Sequence, residues 1–509
     1  GGIFTMDTRS VGWVLDKSRS AEEPSFTTTG AVDIHNPAAY ANGQLDNRNN
    51  KRFTTYKNAS ANATYVLPTS FASSVKTGFR YRGGTFEEER DQQRFAYIGN
   101  NLGALVDRSL NLTYFDDFGG FLPFIDSAAA AQDIRDNPQS WREDLYYKRS
   151  QWYMGTRGAD EDVLASYVQA NARFGKLNLL GGVRVERTDV NTWGYVRSRV
   201  LSTTAERNAD PIGSADRDYN NYQELDGGYT DWFPGLHAVY KITPNLQARA
   251  SWSNSIGRPS ITNLLPSLSF SDAAQTVTIS NPDLKPQYAE NWDIGLEYYF
   301  EPVGQVSVGW FRKDISDFIT NIAGGIVGTG PDNGFNGDYA GYEIRTTANG
   351  GLAKVDGWEF NYQQQFTFLP GFWRGLSFSA NYTKLTTSGD YGELAPRTTT
   401  LDVQRFIPET ANVRLAYSYR KFGFNILYNY QSDYLQDFNA TDASRLRYKM
   451  ARELVNVGVS YRLNRTTTLS IDAANIFNNP QEFYRAVASR LERSTTNGVA
   501  LVVGVRGRF

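Results

Sequence analysis

Residues Asn291–Phe300 read NWDIGLEYYF. Successive side chains of an extended chain point to opposite faces, so Trp292, Ile294, Leu296, Tyr298 and Phe300 share one side and Asp293, Gly295, Glu297 and Tyr299 the other. This strict alternation of apolar and polar residues predicts a strand with two unlike faces. The same period returns along the chain. Val499, Leu501, Val503, Val505 and Phe509 oppose Gly504, Arg506 and Arg508. Phe422, Phe424, Ile426, Tyr428 and Tyr430 oppose Gly423, Asn425 and Asn429. Val75, Phe79 and Tyr81 oppose Lys76, Gly78, Arg80 and Arg82, and Leu246, Ala248, Ala250 and Trp252 oppose Gln247, Arg249 and Ser251.

Length separates a soluble sheet from a membrane one. Strands of soluble domains run about five or six residues. These run nearer ten, as a tilted membrane strand requires, and many end in Tyr, Trp or Phe, as the aromatic girdles of a barrel do. Composition agrees. The 509 residues carry 31 Tyr, 30 Phe, 10 Trp and 45 Gly, yet hydrophobic residues are only 40%. No apolar run approaches the roughly 18 residues of a spanning helix. In a barrel only alternate residues face lipid, so the average stays polar. The plain alternative is a soluble β-rich protein such as a propeller.

The connections alternate too. Ile242–Asn245, Glu301–Gly304, Pro370–Gly375, Arg420–Gly423, Leu463–Thr466 and Phe174–Lys176 read as short turns, each carrying Pro, Gly or Asn. Long polar segments lie between them, near 191–230, 255–290, 319–353, 385–410, 431–452 and 476–496. Short periplasmic turns and long extracellular loops are the asymmetry of an outer-membrane barrel. The expected fold is thus an all-β transmembrane antiparallel barrel over 1–509. About seventeen strands are readable, the earliest near Phe4–Leu15, Thr27–His35, Asn58–Val66 and Val75–Arg82. An odd count, with no signal peptide at the start, leads to the expectation that residues upstream of Gly1 exist. The stretch 83–160 is expected to be a structured extracellular insert. In it Phe86–Arg94 extends a strand and Ser127–Asp136 forms a helix capped by Ser127.

Catalytic chemistry is not legible. Cysteine is absent, and the two histidines, His35 and His237, have no partner nearby in sequence. No metal site, no cofactor and no enzymatic set are expected. Asp216, Asp218 and Asn220 resemble the start of a Ca²⁺ loop, but Asn221 stands where that loop needs Gly and Gly227 where it needs Glu. With 52 basic and 54 acidic residues, nothing points to nucleic acid. Parity places Arg80, Arg184, Arg249, Glu297, Glu359, Arg414 and Arg506 on the lumen side, as a hydrated wall. Trp193, Tyr195, Tyr222, Tyr229, Phe335, Tyr339, Tyr342 and Tyr434 sit in or at the loops. They are candidates for ligand stacking, with girdle or loop packing as the other reading.

Asn281–Phe300, NPDLKPQYAENWDIGLEYYF, resembles the mid-barrel motif of TonB-dependent outer-membrane receptors. Phe233–Pro259 (FPGLHAVYKITPNLQARASWSNSIGRP) resembles the hairpin before it. Val355–Leu369 (VDGWEFNYQQQFTFL) and Leu469–Asn479 (LSIDAANIFNN) resemble later strands. The terminal Phe509 is similar to the signal read by the outer-membrane assembly machinery. The resemblance covers roughly 50–509. It implies a 22-stranded barrel with a plugged lumen, so that about five strands and the plug are expected upstream. It also implies uptake of a ferric siderophore, corrinoid or oligosaccharide, with TonB–ExbB–ExbD acting through the plug, in contact with outer-membrane lipid and lipopolysaccharide. The competing account is a passive porin or structural barrel.

Overall fold

In the computed structural model, residues 2–9, 11–16, 18, 25–107, 122–391, 402–439 and 442–507 are described. Fifteen long strands follow one another in an up-and-down meander. They are β1 (Ala41–Val66), β2 (Ala72–Tyr97), β3 (Arg157–Phe174), β4 (Leu177–Tyr195), β5 (Tyr222–Lys241), β6 (Leu246–Gly257), β7 (Gln287–Phe300), β8 (Gly304–Ser316), β9 (Leu352–Gln365), β10 (Leu376–Asp390), β11 (Glu409–Tyr419), β12 (Phe422–Gln431), β13 (Arg452–Arg462), β14 (Thr467–Ala474) and β15 (Ala500–Gly507). Each pairs antiparallel with the next. The short pieces Gly2–Asp7 and Trp141–Glu143 pair with the upper ends of β1 and β2 and bring the sheet to seventeen strands.

Two early expectations are corrected. Phe4–Leu15 is not one strand: Gly2–Asp7 pairs with β1, whereas Trp13–Asp16 forms a separate hairpin with Ser25–Thr28. Thr27–His35 therefore contributes no barrel strand. It loses extended pairing after Thr28 and runs into the Asn36-capped turn at Pro37–Ala39. The six short turns fall between consecutive strands as expected.

β1 and β2 are each 26 residues long. At about 3.3 Å per residue they measure some 85 Å, and a 25 Å apolar band uses only about ten of those residues. More than half of this hairpin therefore stands clear of the membrane. Phe86–Arg94 belongs to β2, and the strand runs on to Tyr97. Beyond it lie helices α1 (Ser127–Asp136) and α2 (Leu145–Gly155). The cap of α1 is Asp126, whose carboxylate accepts from Ala128 N–H; Ser127 is the first helical residue.

Parity of the registers divides the wall into two faces. Leu164, Trp232, Leu236, Ile294, Leu296 and Trp358 are exposed apolar side chains on the outer face. Trp252 and Trp292 are neighbours at 6.0 Å, and Trp310 lies opposite Trp358, so a tryptophan belt crosses the four strands β6 to β9. Tyr298, Phe300, Tyr362 and Phe378 form the lower belt. On the inner face one row is entirely asparagine. Asn361, Asn381, Asn412 and Asn429 lie side by side across β9 to β12. Asn412 donates to Asn381 at 2.8 Å, and Asn429 donates to Asn412.

The long loops carry structure of their own. Leu268–Ser271, Thr276–Ile279, Ile319–Ile326 and Glu343–Asn349 form a second sheet that includes a parallel pair. Tyr434–Asp437, Arg447–Lys449, Gln481–Arg485 and Leu491–Thr495 form a third. Helices α3 (Thr204–Ala209) and α4 (Pro211–Tyr219) lie between β4 and β5.

Candidate functional site

The inward candidates share one face by register. Arg80 lies opposite Ala165, which lies opposite Glu186; Tyr167 of the same strand lies opposite Arg184. Arg249 and Glu297 occupy the inner rows of β6 and β7 and pair at 2.7 Å, with Gln247 donating to Glu297 at 2.6 Å. Glu359 lies opposite Thr383, Arg414 opposite Ser379, and Arg506 opposite Thr468. Phe509 lies outside the described residues.

The densest polar arrangement is at the upper end of this inner face. Arg82 pairs with Glu161 at 2.5 Å. Arg184 and Arg258 both donate to Glu186 at 2.6 Å, and Arg258 lies 4.0 Å from Glu161. Tyr229 stands opposite Thr188, and Asp231, opposite Glu186, accepts from the Tyr288 hydroxyl. Thr188 and Asp231 are almost wholly buried. Three arginines thus meet two glutamates, while Asp231 beside them is held by the Tyr288 hydroxyl and Tyr229 stands at the margin. Each arginine has a glutamate partner, which offsets the cost of taking those charges out of water. The cluster offers hydrogen bonds and a rigid wall, and no acid or base stands apart from a partner in it. It joins Tyr229, expected as a ligand contact, to Arg184, expected as a wall residue. Arg258, Asp231 and Tyr288 were not anticipated. Arg258 follows the last paired residue of β6, where the alternation that flags inward residues has ended.

The other aromatics do not converge. Trp193, Tyr195 and Tyr222 have the parity of Val183, Val185 and Trp232, so they stand on the outer side of the wall, above the membrane. Trp193 covers Gly158, where a Cβ would lie 2.5 Å from the indole. Tyr195 packs on Tyr153 at 4.9 Å and on Tyr222 at 5.4 Å. Phe335, Tyr339 and Tyr342 gather with Phe270 in the core of the second sheet, where Tyr339 is 5% exposed. Arg199 stacks there, 4.8 Å from Tyr339, and pairs with Asp272 at 2.9 Å. Tyr434 begins the third sheet, 6.0 Å from Lys449. Packing accounts for these contacts; Tyr229 alone of the eight joins the inner cluster.

Helices α2 and α4 clamp together over the wall. Arg149 donates to Asp216 at 2.6 Å, Tyr153 donates to the same carboxylate at 2.9 Å, and Tyr146 donates to Asp218 at 2.5 Å. These bonds replace the Ca²⁺-loop pattern, and among the described residues no group of three or more His, Asp or Glu could hold a metal. Burial pushes the Asp216 carboxyl up, but the bonds from Arg149 and Tyr153 outweigh it and hold it below its ordinary value. Burial and then Asp218 push the Tyr146 hydroxyl up. A carboxyl lowered in the fold adds stability above its ordinary pKa and loses it as pH falls through the lowered value. Amide exchange in 145–219, corrected for intrinsic rates, is therefore expected to quicken below pH ~4. Asp216→Asn should show the quickened rate already at neutral pH; an unchanged acid transition in that variant would refute the assignment.

The geometry has relatives. A family model described as TonB dependent receptor-like, beta-barrel matches residues 4–478. No curated protein matches the chain in sequence. Among solved structures, the ferric-catecholate import receptor Fiu from E. coli K12 superposes with a TM-score of 0.51 at 14% identity, over 94% of this chain and 67% of that one. The ferric citrate transporter FecA gives 0.49 at 14% identity, over 99% and 58%. The ferric yersiniabactin uptake receptor FyuA from Yersinia pestis gives 0.49 at 10% identity, over 100% and 67%. The chain thus spans under three fifths of FecA and about two thirds of the other two. The match to the family model, over nearly the whole chain, shows that this protein belongs to the TonB-dependent receptor β-barrel family of the bacterial outer membrane.

Proposed function

We propose that this chain forms the wall of a TonB-dependent transporter that brings a scarce nutrient, a ferric siderophore, corrinoid or oligosaccharide, across the outer membrane. The observation that carries the reading is the inner face. Charged and amide side chains line it from Arg80 to Arg506, and a cluster of arginines paired with glutamates lies at its mouth. Such a lining suits a hydrated passage that holds a folded plug by hydrogen bonds, and the plug would receive energy from TonB–ExbB–ExbD. Passive flow through a porin is the competing account. Uptake of labelled ferric chelates, cobalamin and glycans should be followed in cells with and without the gene, before and after loss of TonB. Uptake of one class that needs both the gene and TonB is the expected result. Flux that needs the gene but persists without TonB would overturn the reading in favour of a pore.

A further inference from the structure

The ladder between β5 and β6 stops short. It runs from Lys241 opposite Gln247 to Gly235 opposite Ser253. The next residue of β5, Pro234, has no N–H to give, and a glycine stands beside it. β5 continues upward on β4 as far as Tyr222, and β6 continues on β7 to Gly257. Above Gly235 and Ser253, among the described residues, no backbone hydrogen bond joins the chain up to β5 to the chain from β6 onward.

Side chains bridge the divide instead. Arg258, just past the end of β6, donates to Glu186 of β4 at 2.6 Å. The Tyr288 hydroxyl of β7 donates to Asp231 of β5. Higher up, Thr192 donates to the Leu264 carbonyl at 3.2 Å, and Arg199 pairs with Asp272 at 2.9 Å. Three buried polar atoms along the divide have no hydrogen-bond partner: Asn254 Oδ1, Asp231 Oδ2 and Arg258 Nε. Such groups are costly in a closed wall, and a continued ladder would leave no room for them.

The height of the divide gives it a use. Its last paired row is one residue above Leu236 and Trp252. The Trp252 indole N–H donates upward to Glu290 at 2.8 Å, and an indole with its ring in lipid and its N–H bonded upward marks the membrane–water interface. Through the lipid the ladder is complete. It fails only where water can solvate a freed N–H or carbonyl. On the outer side a cleft of about 510 Å³ already opens there, with Trp232 and Phe233 of β5 and Asn254 and Ser255 of β6 at one end.

We infer that the rim above the membrane is two leaves, β1 to β5 and β6 onward, which part along this seam when the side-chain latch is released. The mouth then opens sideways above the lipid while the spanning wall stays closed. The chain has no native cysteine, so spin labels can be placed at will. Thr230→Cys and Lys354→Cys, both exposed, put one label on each leaf. Glu87→Cys with Thr230→Cys puts both on one leaf and is the reference. Pulsed electron paramagnetic resonance in lipid vesicles reads the distances. With the native latch the distance across the seam should have one main population. Arg258→Gln should make a longer population the major one and leave the reference pair unchanged. Tyr288→Phe, which removes one hydroxyl and no charge, should shift the balance the same way, and it decides alone if Arg258→Gln does not assemble. A seam distance unchanged in every assembled variant overturns the inference. So does lengthening of both pairs together, which is loosening of the whole rim.

Discussion

Arginine in place of Ile294 is expected to cost the barrel about 2–4 kcal/mol, the penalty for a guanidinium at the lipid midplane. Ile294 lies between the upper belt at Trp292 and the lower belt at Tyr298, and its side chain is 59% exposed on the outer face. Water is absent there, so the charge has no partner. Arginine at Ser251, on the inner face opposite His237 and Asp293, should cost far less, because it meets Asp293 and a hydrated lumen. Urea unfolding in lipid vesicles, read by the heat-dependent mobility of the barrel on gels, compares the two. Equal costs, or the reverse order, would mean that the two faces have been exchanged.

Glu88→Ala should loosen the part of the β1–β2 hairpin above the membrane by about 3–5 kcal/mol, the usual cost of removing one partner from a buried ion pair. Glu88 is 1% exposed. Its carboxylate receives Arg157 at 2.8 Å and Arg90 at 3.0 Å, with Arg52 at 3.6 Å on the solvent side. Alanine leaves the half-buried guanidinium groups of Arg157 and Arg90 facing one another across a void. Proteolysis within 98–156 should then become fast while the spanning strands stay protected. Glu88→Gln keeps the volume and some hydrogen bonds and should fall between. If Glu88→Ala is cut no faster than the native chain, the arginines are held by something other than this carboxylate.

The wall was legible because its period is two and its faces differ in solvent. Ile294, Leu296, Arg249 and Glu297 could each be assigned to a side from one stretch of sequence. The turns were legible for the same reason, being the places where the period stops on Pro, Gly or Asn. The loops were not. Thr276–Ile279 pairs in parallel with a strand nearly seventy residues away, and no local signal announces such a partner. Trp193, Tyr195 and Tyr222 were read by residue type. Extending the parity of β4 past Val185 would have turned Trp193 and Tyr195 outward, because the strand runs unbroken to Tyr195. Arg258 was hidden for the opposite reason: it lies beyond the strand, and the Glu186 that fixes its direction is 72 residues away in the chain.

The asparagine row from Asn361 to Asn429 gives the lumen two kinds of grip. The arc from β2 to β7 holds by charge, which mobile ions screen over about 8 Å at physiological ionic strength. The arc from β9 to β12 carries Glu359 and Arg414 as well, but its asparagine row offers neutral amides, which have no proton to gain or lose in the range that life uses and no field for salt to screen. A body resting on the first arc loosens as the medium grows saltier. Where it rests on the asparagine row, the same body is held equally in fresh water and in brine.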